Sequence, residues 1–273
     1  MRKFAIAGAL AAAGMNAGIS APASAASIPS ALPDADPAIW VINDEDTIIY
    51  LFGTFHALDG KSAWFNDEVR TAFAASDELV LETLVPDWRG EGAMPAARTE
   101  AQAGGAPSYL AATRMAISAG RARGLKAGNG ADAVLRQAAE YWGKPVGGLE
   151  SFSAQAGMLN HMPAAVRPAS AMSPAQASRT MDELSFAMSE LQTAWNRGDW
   201  RLFGAMLTDM RVTSPRSYNL MFAQRNATMA NWIAERLQRP GTVFVAVGTG
   251  HLVGRDSVQA KLALRGFRST RIN

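Results

Sequence analysis

Val243-Phe244-Val245-Ala246-Val247-Gly248-Thr249-Gly250-His251 is an apolar run that stops at a glycine, a threonine and then a histidine. The same pattern stands near the other end of the chain, where Ile48-Ile49-Tyr50-Leu51-Phe52 runs into Gly53-Thr54-Phe55-His56. Short β-branched and aromatic runs bounded by glycine read as buried strands. Each copy reaches another glycine soon after its histidine, Gly60 in one and Gly254 in the other. The chain has three histidines, and two of them hold these matching positions. The pattern predicts that two halves of one domain bring His56 and His251 to a single site.

The residues around each copy extend the fold. Pro37 to Ile42 reads as a first strand, Asn43-Asp44-Glu45-Asp46 as a turn and Thr47 to Phe52 as a second strand, which together predict a hairpin. Ser62 to Ala75 carries Trp64, Phe65, Val69 and Phe73 at helical spacing, and Glu78-Leu79-Val80-Leu81-Glu82 reads as a strand. Strand, helix and strand at this length predict a βαβ unit with parallel pairing. Parallel strands end at one edge of the sheet, so His56 and Glu82 are expected to share that edge. Lys144 to Glu150 predicts a further strand ending in a carboxylate, which extends the same expectation to Glu150.

Between the copies the periodicity predicts helices over 109–119, 131–142, 181–196, 200–210 and 218–238. Residues 86–107 read as a long loop or mobile cover. After the second histidine turn come a helix over 257–264 and a closing strand near 269–272. The expected fold class is therefore α/β with a mixed sheet. It has two pseudo-repeated halves of strand, G-T-x-H turn, helix and strand, and a helical insertion between them.

The chain is 273 residues long, 48% hydrophobic and 18% charged, which suits a globular domain with a sizeable core. Residues 1–25 have a basic start at Arg2 and Lys3, a short apolar run and Ala23-Ser24-Ala25 as a small-residue cleavage site, the pattern of a secretory signal peptide. Residues 26–36 then form an extended leader and 37–273 the domain. The expected location is across the inner membrane, periplasmic or extracellular, with no transmembrane segment in the mature chain. Without Arg2 and Lys3, the 26 basic residues fall to 24 against 24 acidic ones, so no nucleic-acid partner is expected. Cysteine is absent, which excludes a thiol nucleophile and a thiolate metal site.

Histidines held at strand ends point over the carboxyl edge of the sheet, where open α/β folds bind ligands. Two imidazoles with one or two carboxylates suit a divalent first-row metal. Glu82 is the first candidate, as ligand or general base, and Glu150 the second. Arg225, in Gln224-Arg225-Asn226, stands mid-helix; it reads either as a solvated face or as a guanidinium that clamps a substrate carboxylate or an oxyanion. His161 has no partner motif and reads as structural.

Several blocks then carry a resemblance. Pro37-Ala38-Ile39-Trp40, Tyr50 to His56, Glu78 to Glu82, Gly143 to Glu150, Ala194 to Asp199, Gln224 to Asn226 and Val245 to Leu252 resemble, in order and spacing, the successive blocks of the TraB/GumN family. The family includes Tiki-type metalloproteases and peptide-pheromone inhibitors of conjugation, and is distantly similar to erythromycin-esterase-like hydrolases. The resemblance implies a divalent metal, manganese or cobalt in the Tiki branch, with two histidines and a glutamate that map onto His56, His251 and Glu82. Zn²⁺ stays open beside Mn²⁺ and Co²⁺. Residues 91–130 depart from the pattern, being richer in glycine and alanine. The expected function is an exported metal-dependent hydrolase, peptidase-like, acting on a peptide or small-molecule substrate. The alternatives are an envelope protein that sequesters such a ligand without cleaving it, and a scaffold for envelope assembly.

Overall fold

A computed structural model describes residues 33–84, 109–160 and 173–273. The expected signal peptide, most of the leader, the 86–107 loop and His161 lie outside the described residues.

In chain order the strands and helices are β1 (Ile39–Asn43), β2 (Thr47–Thr54), α1 (Asp67–Ala75), β3 (Glu78–Leu84), α2 (Tyr109–Ala122), α3 (Ala131–Tyr141), β4 (Val146–Ser151), α4 (Phe152–Asn160), α5 (Pro174–Asn196), α6 (Arg201–Thr213), α7 (Pro215–Tyr218), α8 (Gln224–Arg236), β5 (Gly241–Gly248), α9 (Val258–Ala263) and β6 (Thr270–Arg271). A π-helical turn, Asn219–Ala223, joins α7 to α8, and a 3₁₀ turn, Thr249–Leu252, follows β5.

Several boundaries follow from local capping. Helix α1 starts five residues later than the periodicity predicts, because the Asn66 side chain accepts from the Val69 amide and caps it there. Helix α5 starts seven residues earlier, because Ser173 and Gln176 form a reciprocal capping box ahead of Pro174.

The six strands form one mixed sheet in the order β4-β3-β5-β2-β1-β6. β1 and β2 form the antiparallel hairpin, whose turn is closed by Asp44 Oδ1 accepting from the Thr47 amide at 3.0 Å. β5 pairs parallel with β2 on one side and with β3 on the other. Thus β2, α1 and β3 form the expected parallel unit, with β5 inserted between its two strands. The two glycine–threonine turns come from adjacent strands, and Thr54 stands opposite Gly248.

Alternation along the strands divides the core between the two faces of the sheet. Phe52, Leu79, Leu81, Phe244 and Ala246 face one side, where they join Phe73, Trp195 and Phe203 from the helices. Leu51, Val80, Val243, Val245 and Val247 face the other, against Met229 and Ile233 of α8, Leu237 just past its end, and Val258 and Leu262 of α9. Trp195 secures α5 over the first histidine turn. Its ring packs edge-on to Phe52, with centroids 6.2 Å apart, and its Nε1 donates to the Gly53 carbonyl at 2.7 Å.

The two histidine-bearing strands sit in different surroundings: β2 follows a hairpin strand, whereas β5 follows helix α8 and runs into the 3₁₀ turn that holds His251. β3 lies parallel beside β5, whereas the two-residue β6 pairs antiparallel with β1 at the far edge. Among the described residues, no helix is long and apolar enough to cross a membrane.

Candidate metal centre at the strand ends

His56, Glu82, Glu150, Arg225 and His251 meet at the carboxyl edge of the sheet. Each is held by a backbone reason. His56 follows β2 and is 6% exposed. Its turn is pinned by the start of α3, where the Ala131 amide donates to the Phe55 carbonyl at 3.0 Å. Gly130 makes that approach possible, since a Cβ there would lie 2.2 Å from the His56 carbonyl oxygen. The docked helix brings Asp132 Oδ1 to 3.0 Å from His56 Nδ1. A carboxylate accepts, so Nδ1 carries a proton, and in the neutral ring Nε2 holds the lone pair. That Nε2 is buried without a hydrogen-bond partner.

His251 is oriented by the same logic through a longer chain. Asn226 Nδ2 donates to the Asp256 carbonyl at 2.7 Å, which turns its Oδ1 toward His251 Nδ1 at 2.5 Å. An amide oxygen only accepts, so Nδ1 of His251 also carries a proton, and in the neutral ring Nε2 holds the lone pair. Phe222, on the π-helical turn, packs against the ring with centroids 5.3 Å apart.

Glu82 lies between them on β3, which ends beside β5. Its Oε2 accepts from the Gly248 amide at 2.8 Å and stands 3.5 Å from His251 Nε2. Its Oε1 accepts from Arg225 Nη2 at 2.6 Å and from Gln155 Nε2 at 3.3 Å. Burial works to raise the Glu82 pKa, but the facing His251, the Arg225 guanidinium and His56 outweigh it and hold the carboxyl well below its ordinary value. For His56, burial pulls the pKa down while Asp132 and Glu82 pull it up more strongly, so it ends raised.

Gly248 sits at the centre of this group. A Cβ built on it would lie 3.1 Å from Glu82 Oε2, 3.3 Å from His56 Nε2 and 3.6 Å from His251 Cδ2. Glycine thus leaves open the space that the three functional groups surround.

The π-helical turn re-aims the next residues, as such turns do at many functional sites, and directs Arg225 into the sheet edge. Arg225 Nε donates to both Glu150 oxygens, at 2.8 and 3.0 Å, and Nη1 donates to the Met221 carbonyl at 3.3 Å. Nη1 also stands 3.3 Å from His251 Nε2, where a guanidinium can only donate. Burial lowers the Arg225 pKa and the two carboxylates raise it further, so the guanidinium stays charged. Its Nε, Nη1 and Nη2 all donate within the protein, and it holds Glu82 and Glu150 in place. Glu150 lies on the far side of Arg225, as its ion-pair partner.

The geometry bears on a cation in two ways. In donor chemistry the residues fit: two imidazoles with Nδ1 engaged and Nε2 turned inward, one of them orphaned, beside an ionised carboxylate. In placement the fit is incomplete. Among the described residues no three His, Cys, Asp or Glu side chains stand close enough together to hold a metal ion, and Arg225 Nη1 takes the lone pair of His251.

The family model for TraB/PrgY/gumN matches residues 38–104 and 92–271. The chain belongs to the TraB/PrgY/gumN family. No curated protein and no solved structure matches it. In this TraB/PrgY/gumN chain the sequence motifs indicate both histidines, but not Asp132 or Gln155. An acidic residue in a first helical turn, such as Asp132, ordinarily reads as a dipole partner. Asn226 has a weak signal, a poor helix former in mid-helix beside an arginine.

The depressed Glu82 pKa gives a pH prediction. A carboxyl that is more acidic in the folded protein contributes stability that is fully present above its unfolded value, ordinarily 4.5. That contribution is lost as pH falls through the lower folded value, because there the unfolded chain binds the extra proton. Urea midpoints measured from pH 7 to pH 3 should therefore drop more steeply for the wild type than for Glu82→Gln. Parallel curves below pH 4.5 would show that Glu82 is not held ionised.

Proposed function

We propose that the protein is an exported hydrolase that depends on a divalent metal, Mn²⁺, Co²⁺ or Zn²⁺, and that it cleaves peptides. The observation that carries this reading is the convergence of His56 Nε2, Glu82 Oε2 and the His251 ring around the side-chain-free Gly248. Family membership supports it. His56, His251 and Glu82 would hold the cation, whose bound form supplies Lewis-acid activation of water and of a carbonyl.

The chain's own groups divide the remaining work. Asp132 and Asn226 fix the two imidazole tautomers, so that in each neutral ring it is Nε2 that faces the inner side with its lone pair. Glu82 acts as a ligand rather than a general base, because a strongly acidic carboxyl takes up a proton poorly near neutral pH. Arg225 screens Glu82 from Glu150 and competes with the cation for the His251 lone pair.

That competition also favours a second reading, in which the site sequesters a peptide or small ligand without cleaving it. Incubating the mature protein with a peptide library and each metal, with mass spectrometry of the mixture, separates the two. Cleavage products that disappear with chelator are expected. Intact peptides that co-purify with the protein, and no products, would establish sequestration instead.

A further inference from the structure

The stretch that aims Arg225 and Asn226 at the sheet edge begins with Tyr218, the last residue of α7, which is 7% exposed. Its hydroxyl donates to Asp256 Oδ2 at 2.9 Å. Burial and the facing Asp256 carboxylate push the phenol pKa up to about 12, so the hydroxyl keeps its proton and remains the donor. Asp256 lies in the short loop between the 3₁₀ turn and α9, so this bond ties the loop to the helix. Lys261 Nζ at 3.7 Å and Arg255 Nε at 3.9 Å also face the carboxylate, but beyond hydrogen-bond length. The Asp256 carbonyl accepts from Asn226 Nδ2 at 2.7 Å, and Asn226 Oδ1 accepts from His251 Nδ1 at 2.5 Å. The tyrosine hydroxyl is thus linked to the imidazole through Asp256 and Asn226.

The inner side of His251 does not fix its tautomer. Arg225 Nη1, 3.3 Å from Nε2, favours a lone pair there, whereas Glu82 Oε2, 3.5 Å away, would accept from an Nε2 proton. The outer side has to decide. An Asn side chain can face Nδ1 with its oxygen or, turned over, with its NH₂. Turned over, Asn226 would set Oδ1 against the Asp256 carbonyl, two acceptors with no proton between them. The place of that carbonyl therefore selects the Asn226 orientation, and through it the His251 tautomer.

We propose that Tyr218 is a positioning residue for His251: by holding Asp256, its hydroxyl keeps the Asn226 oxygen on Nδ1 and the lone pair of the neutral ring on Nε2. The phenol ring has a separate contact. It packs on Phe222 with centroids 6.0 Å apart, and Phe222 packs on His251 at 5.3 Å. Tyr218→Phe keeps this packing and removes the hydroxyl alone. The inference concerns the metal-free protein and stands apart from the hydrolase reading.

Nitrogen NMR of the histidine-labelled mature chain reads the tautomer, since protonated and unprotonated ring nitrogens resonate far apart. The spectra are taken in chelator and in alkaline buffer, where an imidazole is neutral. The His251 signals are assigned by their loss in His251→Gln. In the wild type the Nδ1–H form should dominate. Tyr218→Phe should raise the ratio of Nε2–H to Nδ1–H about 10-fold, the worth of one hydrogen bond. Asp256→Ala should do the same, and Asp256→Asn, whose amide oxygen still accepts from the hydroxyl, should keep the wild-type ratio. A dominant Nε2–H form in the wild type, or an unchanged ratio in folded Tyr218→Phe, overturns the proposal. If Tyr218→Phe does not fold, the two Asp256 variants decide it, and equal ratios in them overturn it. No metal or substrate enters the measurement, so its failure is distinct from failure of the hydrolase reading.

Discussion

Replacing Arg225 with methionine should cost about 3–5 kcal/mol of folding stability, read from urea denaturation at pH 7. The guanidinium is buried, and it is the cationic partner of two carboxylates, Glu82 at 2.6 Å and Glu150 at 2.8 Å. Methionine preserves much of the volume and removes the charge, so both carboxylates would lose their ion-pair partner in a low-dielectric site. Lysine should rescue only part of the loss, since a single ammonium cannot make the forked contact to Glu150 while reaching Glu82. Added Mn²⁺ should stabilise Arg225→Met more than the wild type, because the cation then meets Glu82 and His251 without a competing guanidinium. A loss below about 1 kcal/mol would assign the cluster the small energetics of a surface pair.

Asn226→Ala should lower metal affinity by about 10–100-fold while the chain stays folded. The amide group is the link between the Asp256 carbonyl and His251 Nδ1. Without it, nothing in the hydrogen-bond chain requires the Nδ1 proton, and the ring is free to protonate on Nε2. Asn226→Asp is the informative companion. Its carboxylate still accepts from Nδ1, but it faces the Asp256 carbonyl with no donor to offer. It should therefore fold less stably than wild type yet retain more metal affinity than the alanine variant. Wild-type affinity in Asn226→Ala would show that His251 does not depend on this orientation.

The strands that carry the histidines were legible because apolar runs broken by Gly-Thr announce both their extent and their end. Adjacency was less legible. Nothing in residues 78–84 says that β5, more than 150 positions later, lies between β3 and β2, since register is set by packing of both sheet faces and not by local pattern. The run from Tyr218 onward reads as a single helix. The π-helical turn at Asn219–Ala223 inserts an offset too small to disturb apolar periodicity, yet it aims Arg225 inward. From sequence the guanidinium reads either as a solvated face or as a substrate clamp; in the fold it is buried and paired with Glu82 and Glu150. That arrangement depends on two strand ends and a helix meeting in space. The matched G-T-x-H copies conceal a further difference, since one threonine hydroxyl is bonded and the other is not.

Calorimetric titration of Mn²⁺ into chelator-stripped mature protein, run beside the His56→Ala/His251→Ala double variant, tests the central proposition most directly. The wild type should take up a single cation per chain, and the folded double variant should take up none. Equal uptake by both proteins, or no uptake by the wild type, would contradict a metal centre built on these two histidines.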